Sequence, residues 1–225
     1  LKTATVIVGE PTASELALAE DLKLLQLTWA GADKFLKMKN FPKSTVLTTA
    51  SGAFGEVISE YVIGGILALY RDFHFYIKNQ QNHSWQKRET VETITGKTVL
   101  ILGTGDIGRT TAKKLKALGI KEIFGVRRKS KEDFLEYFDE IFDIVELETL
   151  LPKADIVVCC LPETNATIGV LNEEMLSIMK ENSILVNVGR GSLIVTSDLI
   201  KVLESGKIKG AVLDVFENEP LPENT

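Results

Sequence analysis

The stretch Thr98-Val-Leu-Ile-Leu-Gly103-Thr-Gly-Asp-Ile-Gly108-Arg-Thr-Thr-Ala-Lys-Lys-Leu-Lys-Ala-Leu118-Gly119 decides the fold. An unbroken apolar run reads as a buried strand, and glycines at G-x-G-x-x-G spacing lead it directly into a helix-forming segment that stops at Gly119. The first glycine permits a tight turn. The second lets the backbone approach a pyrophosphate, and the third lets the helix pack closely on the strand. The helix start then offers free N–H groups and the positive end of its dipole to a phosphate. Gly103, Gly105 and Gly108, with Asp106 and Ile107 between them, are therefore the expected dinucleotide cradle, against the bland alternative of a strand, turn and helix that bind nothing.

Downstream, apolar runs at Glu122 to Val126, Phe142 to Val145, Asp155 to Cys160, Ser183 to Val188 and Gly210 to Leu213 alternate with helical segments. Repeated strand-helix-strand units predict an α/β fold with a doubly wound parallel sheet, the Rossmann arrangement, whose ligand crevice lies at the carboxyl ends of the strands. Upstream, shorter β-rich runs at Thr3 to Val8, Leu24 to Thr28 and Ser44 to Thr48 predict a small separate α/β region. Between the two, Val57, Ile58, Tyr61, Val62, Ile66, Leu69 and Phe73 recur at helical spacing, which predicts one long helix from Glu56 to about Gln80 that bridges two domains. The expected division is residues 1–54 and 55–225.

Bulk properties narrow the function. A net charge of -5 argues against a nucleic-acid binder, which concentrates Lys and Arg on one face, but leaves room for small anions at a local site. The two cysteines, Cys159 and Cys160, are adjacent in an apolar run, so neither a disulfide framework nor a metal cluster is expected. No leader opens the chain and no apolar run is long enough for a bilayer, which points to a cytoplasmic protein without a membrane partner.

Two strand ends carry the candidate chemistry. A site that prefers NAD ends its second strand with Asp or Glu, which binds the ribose hydroxyls; here that place reads Gly125-Val-Arg127-Arg128-Lys129-Ser130. Cationic side chains there suit a 2′-phosphate, so NADP is expected in preference to NAD, a solvated basic loop being the alternative. Farther on, Asn187-Val-Gly-Arg190-Gly191 places an arginine between glycines, where a guanidinium can clamp a carboxylate and polarise a neighbouring keto oxygen. Leu213-Asp-Val-Phe-Glu-Asn-Glu-Pro220 brings Asp214, Glu217 and Glu219 to the same edge. Without the dinucleotide turn, such residues read as surface ion pairs.

Taken together, the turn and these two segments resemble the D-isomer-specific 2-hydroxyacid dehydrogenases, within their glyoxylate/hydroxypyruvate reductase-like, NADP-using branch. The resemblance runs over nearly the whole chain. It implies that residues 1–54 are part of a flavodoxin-like substrate domain, and that Thr28-Trp-Ala-Gly-Ala-Asp33 is the loop whose backbone N–H groups hold a substrate carboxylate, at Ala30 and Gly31, with the aromatic Trp29 beside them suiting a small or apolar 2-keto acid unless it is a core residue. It further implies that Arg190 orients a small 2-keto acid and that Glu219 holds a catalytic histidine. Asp214 would face the nicotinamide carboxamide, with Leu161, Pro162, Thr167 and Val188 along the rest of the cofactor. A homodimer formed through the long helix is also implied.

One part does not match. The family's histidine stands in a Pro-His step beyond Glu219-Pro220, and the sequence reaches Thr225 without it, while His74 and His83 fall on and after the long helix. The expectation is a fragment that binds the cofactor with little or no reductase activity. The competing class is a dinucleotide-sensing interaction protein like the C-terminal-binding-protein corepressors, whose assembly the cofactor governs.

Overall fold

The structure is a computed structural model that describes residues 1–128 and 135–221. It comprises two compact units, Leu1–Phe54 and Gly55–Thr225.

The first unit runs β1 (Val6–Val8), α1 (Ala13–Ala17), β2 (Leu24–Gln26), α2 (Asp33–Leu36) and β3 (Val46–Thr48). Its three strands are parallel in the order β1-β2-β3. The core is small: Leu16, Leu22, Leu25, Leu27 and Phe35 are all buried. α1 starts on a reciprocal cap, with Thr12 accepting from Glu15 N while the Glu15 carboxylate accepts from Thr12 N at 2.7 Å.

The second unit begins with α3 (Gly55–Tyr70) and α4 (Phe73–Gln81). The single long helix expected from the hydrophobic spacing is corrected here. Asp72 adopts a left-handed conformation, φ 53° and ψ 36°, which stops the first helix, and α4 starts afresh with no buried residue. Periodicity registered the apolar side chains but not the break, because Phe73, Tyr76 and Ile77 keep the spacing while lying exposed.

There follow β4 (Thr98–Leu102), α5 (Asp106–Ala117), β5 (Glu122–Val126), β6 (Glu140–Phe142), α6 (Leu147–Leu150), β7 (Ile156–Cys159), α7 (Glu173–Ser177), β8 (Ile184–Asn187), α8 (Thr196–Glu204) and β9 (Gly210–Leu213). All six strands are parallel in the order β6-β5-β4-β7-β8-β9. The order reverses between β4 and β7, the switch point at which such sheets bind ligands. Alternate residues of β4 serve opposite faces: Val99 and Ile101 enter one buried cluster, Leu100 and Leu102 the other. Cover on both faces is why this strand reads as a continuous apolar run.

The strand expected at Phe142 to Val145 ends at Phe142 instead. Asp143 caps a short 3₁₀ turn over Ile144–Glu146, accepting from Val145 N at 3.2 Å while Glu146 accepts from Asp143 N at 2.9 Å. That D-x-x-E box is a helix-start signal embedded in an apolar stretch. α3 lies on the sheet through Gly65, where a Cβ would stand 2.6 Å from Val212 Cγ1. It is tied to α5 by Lys114, whose ammonium meets Glu56 at 2.8 Å and Glu60 at 3.3 Å.

Candidate functional site

At the carboxyl end of β4, the chain is held on both sides before it turns. Gly103 N donates to Val126 O at 2.9 Å, and Cys160 N donates to Leu102 O at 2.7 Å. Gly103 has φ +105°, and a Cβ on it would meet the Cys160 carbonyl at 2.9 Å, so both conformation and space demand glycine. Gly108, in the first turn of α5, abuts Gly103 O, leaving no room for a side chain. Gly105 differs. It caps α5 with φ -74° and ψ -160°, and a Cβ there would meet nothing within 4 Å. The space before Gly105 is open, and the first N–H groups of α5 face it without a side-chain cap from Gly105.

That space is a cavity of about 670 Å³. On one side it is lined by Gly103, Thr104, Gly105 and Arg109 of the turn, with Val126, Arg127 and Arg128 at the end of β5; on the other by Cys160 to Pro162 and Thr164 to Thr167 after β7. A cradle with glycine backbone on its floor, a helix start behind it and arginines at its rim fits a dinucleotide phosphate chain. Of the residues singled out from sequence, Gly103, Gly105, Arg127, Arg128, Leu161, Pro162 and Thr167 line the cavity. Asp106, Ile107 and Gly108 stand just behind it in α5, Val188 is buried in the core, and Asp214 is exposed just beyond β9. Lys129 and Ser130 lie outside the described residues.

Sequence reading missed Arg109, Thr104, Ile144, Cys160 and Thr164 to Ala166 as lining residues. Arg109 carried a legible signal: a cation in the first turn of a helix opposes the dipole unless an anion is bound there. The post-β7 segment carried none, because its shape depends on side chain to backbone bonds. Thr167 Oγ1 donates to Pro162 O at 2.8 Å and accepts from Thr164 N at 2.8 Å, which folds the segment against the cavity. Burial pushes the Cys160 thiol up to about 12, which favours the neutral thiol at the cavity wall.

The second strand end is built differently. Asn187, fully buried at the end of β8, donates from Nδ2 to Arg190 O at 2.9 Å and accepts from Gly189 N at 3.1 Å. One amide thus fixes the loop on both sides of the turn. A Cβ on Gly189 would stand 2.7 Å from Leu161 O, and one on Gly191 would fall on the Phe216 carbonyl group. Arg190, half-buried, donates from Nη1 to Gly189 O at 2.8 Å.

The neighbouring loop after β9 packs on Gly191 and sorts its acids into different tasks. Glu217 accepts from Thr196 N at 2.7 Å and so caps α8. Glu219 is exposed and accepts from Phe216 N at 2.9 Å. Asp214 N continues the ladder by donating to Asn187 O at 3.0 Å, and the Asp214 charge, after burial, raises the Tyr61 phenol. His74 and His83 are exposed on and just after α4.

In the first unit, the loops after all three strands meet at one edge. Glu10 Oε1 accepts from both Thr28 N and Thr28 Oγ1 at 2.8 Å, and Ala50 N donates to Trp29 O at 2.9 Å. These bonds hold the loop Trp29-Ala30-Gly31 from both sides. Trp29 is 59% exposed, which excludes a core role for it within this unit. Among the described residues no group of three or more His, Cys, Asp or Glu could hold a metal ion, and no helix is long and apolar enough to cross a membrane.

Comparison with known proteins places this geometry. Residues 63–225 match the D-isomer specific 2-hydroxyacid dehydrogenase NAD-binding domain. A glyoxylate reductase of Thermofilum pendens is 33% identical over 218 residues, covering 94% of this chain and 63% of its own length. A D-isomer specific 2-hydroxyacid dehydrogenase family protein from Aeromonas salmonicida superposes with a TM-score of 0.89 at 37% identity, over 99% of this chain and 71% of that one. An NADPH-dependent glyoxylate/hydroxypyruvate reductase from Sinorhizobium meliloti, solved with NADP and sulfate, gives 0.87 at 30% identity over 98% of this chain and 70% of that one. A Rossmann sheet with a glycine cradle at its switch point, and a family match across most of the chain, lead to one conclusion: the chain belongs to the D-isomer specific 2-hydroxyacid dehydrogenases, a family of oxidoreductases, and carries their nicotinamide-dinucleotide-binding domain.

Proposed function

We propose that the protein reduces a small 2-keto acid of the glyoxylate or hydroxypyruvate type to a D-2-hydroxy acid, with NADP preferred over NAD. One observation carries the cofactor reading: the cavity rim holds Arg109, Arg127 and Arg128, and no Asp or Glu is among its described lining residues. On a chain of net charge -5, three guanidinium groups around one cavity favour a ligand with more negative charge than a pyrophosphate alone. A carboxylate at the end of β5 would repel a 2′-phosphate, and Arg127 and Arg128 stand in its place. The NADP bound to the Sinorhizobium reductase agrees with this choice.

When bound, a reduced nicotinamide dinucleotide supplies the hydride. The chain supplies orientation and charge. Arg190, on a loop that Asn187 fixes, pairs with the substrate carboxylate and stabilises negative charge developing on the keto oxygen. The exposed Glu219 carboxylate orients an imidazole and favours its protonated form, in which it donates to that oxygen. His74 and His83 stand on neither of these loops, and the reading assigns the donor to neither. Asp214 would meet the carboxamide end of the cofactor, with Asp106, Ile107 and Gly108 holding the phosphates through backbone, and Val188 supporting the ring from the core. In residues 1–54, the substrate domain of this reading, the amides of Ala30 and Gly31 hold the acid beside the Trp29 ring. A homodimer belongs to the same reading, because Val57 and Tyr61 on α3 and Phe73 and Ile77 on α4 are exposed apolar residues.

The test is NADPH oxidation by the complete protein across a panel of 2-keto acids, together with solution mass measured with and without cofactor. Turnover with glyoxylate or hydroxypyruvate is expected. No turnover, with a mass that changes on adding NADPH, would replace the enzyme by a cofactor-governed interaction protein.

A further inference from the structure

A side-chain bond joins the wall of the dinucleotide cavity to the Arg190 loop. Ser192 Oγ donates to Glu163 Oε2 at 2.7 Å, both residues being half-buried. Glu163 stands between Pro162 and Thr164, which line the cavity, yet it is not a lining residue itself, and its carboxylate is turned to Ser192. Backbone bonds extend the same join: Gly169 N donates to Ser192 O at 2.8 Å, Leu171 N to Leu193 O at 3.0 Å and Val195 N to Leu171 O at 3.2 Å. On the cavity side, the Thr167 hydroxyl bonds hold residues 162–167 in one shape. On the other side, Asn187 holds the Arg190 carbonyl and Gly191 is wedged against Phe216. The segment after β7 is therefore a strap with one edge in the cofactor cavity and the other bonded to the residues that follow Arg190.

A half-buried carboxylate needs a reason to be kept, because an apolar side chain would avoid the desolvation cost. We propose that Glu163 is a positioning residue: through Ser192 it couples occupancy of the dinucleotide cavity to the setting of the Arg190 loop, so that bound cofactor tightens the grip on a 2-keto acid carboxylate. This rests on the reading of Arg190 and the cavity given above. Coupling of this kind is reciprocal, so the substrate carboxylate tightens the cofactor by the same factor. It gives the fold a means of ordering its two ligands without any contact between Glu163 and either one.

The test measures the dissociation constant of oxalate, a non-reacting analogue of a 2-keto acid, with and without saturating NADPH. Calorimetry on the unaltered chain is compared with Ser192→Ala, Glu163→Ala and Glu163→Gln. The unaltered chain is expected to bind oxalate about tenfold tighter with NADPH, within the usual range of coupling between sites. In Ser192→Ala and Glu163→Ala the ratio falls to about twofold or less, while Glu163→Gln, which keeps an acceptor for Ser192 Oγ, restores most of it. A merely structural role would lower the melting temperature and weaken both ligands with the ratio unchanged, and that result overturns the proposal. So does a ratio of one in the unaltered chain when both ligands bind. Failure of the unaltered chain to bind NADPH or oxalate at all overturns the functional reading itself, and the coupling with it.

Discussion

The ends of β4 and β8 solve the same geometric problem for opposite purposes. Each strand stops in a glycine-flanked turn, and at each the glycines face carbonyl groups that leave no room for a Cβ: Gly103 against Cys160, Gly191 against Phe216. At β4 the middle glycine, Gly105, looks into open space, so recognition falls to the backbone and helix start. At β8 the middle residue is Arg190, and its loop is closed by the Asn187 amide, so the proposed recognition falls to one guanidinium. A backbone cradle suits a ligand portion common to all dinucleotides. A side-chain clamp suits a carboxylate, the charged group that every 2-keto acid presents.

The sharpest way to break this comparison is a methyl group at each turn. Gly191→Ala places a Cβ on the Phe216 carbonyl, which must move, and is expected to cost about 3 kcal/mol or more or to prevent folding. Gly105→Ala meets no atom and has an ordinary φ, so stability by denaturant unfolding should change by less than about 0.5 kcal/mol. Its methyl group enters the space where a phosphate would approach, and NADPH affinity should fall about tenfold, or about 1.4 kcal/mol. Equal stability losses for the two variants would show that the turns do not differ as described.

The side-chain clamp gives the next effect. Arg190→Ala in the complete protein should lower kcat/KM for a 2-keto acid about 100- to 1000-fold, and Arg190→Lys should recover little, because a point charge cannot pair in two parallel bonds. NADPH binding should stay within about threefold, since Arg190 is not a cavity residue. At the cavity rim, the double variant Arg127→Ala and Arg128→Ala should reduce the preference for NADPH over NADH about 10- to 100-fold, mostly through weaker NADPH binding.

The smallest effect concerns the support beneath both turns. Asp155 lies just before β7 and accepts from Thr98 N at 2.9 Å and from Lys180 Nζ at 2.7 Å. Burial alone would raise its carboxyl, but these bonds and the Lys180 charge outweigh burial and hold it below the usual value. A depressed folded value means its contribution is present above the unfolded value near 3.8 and is lost as pH falls below it. Asp155→Asn should cost on the order of 1 kcal/mol at neutral pH and shrink the acid-induced loss of stability below about pH 4, measured by thermal melts across pH.

How far the sequence could be read follows from the same contrast. The β4 turn was legible because its demands are local: an apolar strand, glycines at fixed offsets and a helix start leave one arrangement. The parallel sheet followed from alternating runs that burial on both faces makes continuous. Arg190 was legible as a polar residue set between glycines at a strand end. What escaped depends on partners distant in sequence or on single backbone angles. The left-handed Asp72 that splits α3 from α4 leaves the apolar spacing intact. The Thr164–Thr167 strap is polar, and nothing in its composition says that its hydroxyl turns it toward a cavity. Glu217 and Glu219 are near-identical neighbours on paper, yet one caps α8 while the other closes its own turn. Glu163 gave no signal until Ser192, far along the chain, stood beside it.

Selection of the dinucleotide by its 2′-phosphate at the arginine-rimmed cavity is the proposal on which the cofactor reading stands. Its most direct test is a pair of titrations of the unaltered chain, NADPH and NADH under one buffer and ionic strength. NADPH is expected to bind at least about tenfold tighter, a difference of about 1.4 kcal/mol, whereas NADH binding as tightly as NADPH, or more tightly, would rule out selection by the 2′-phosphate.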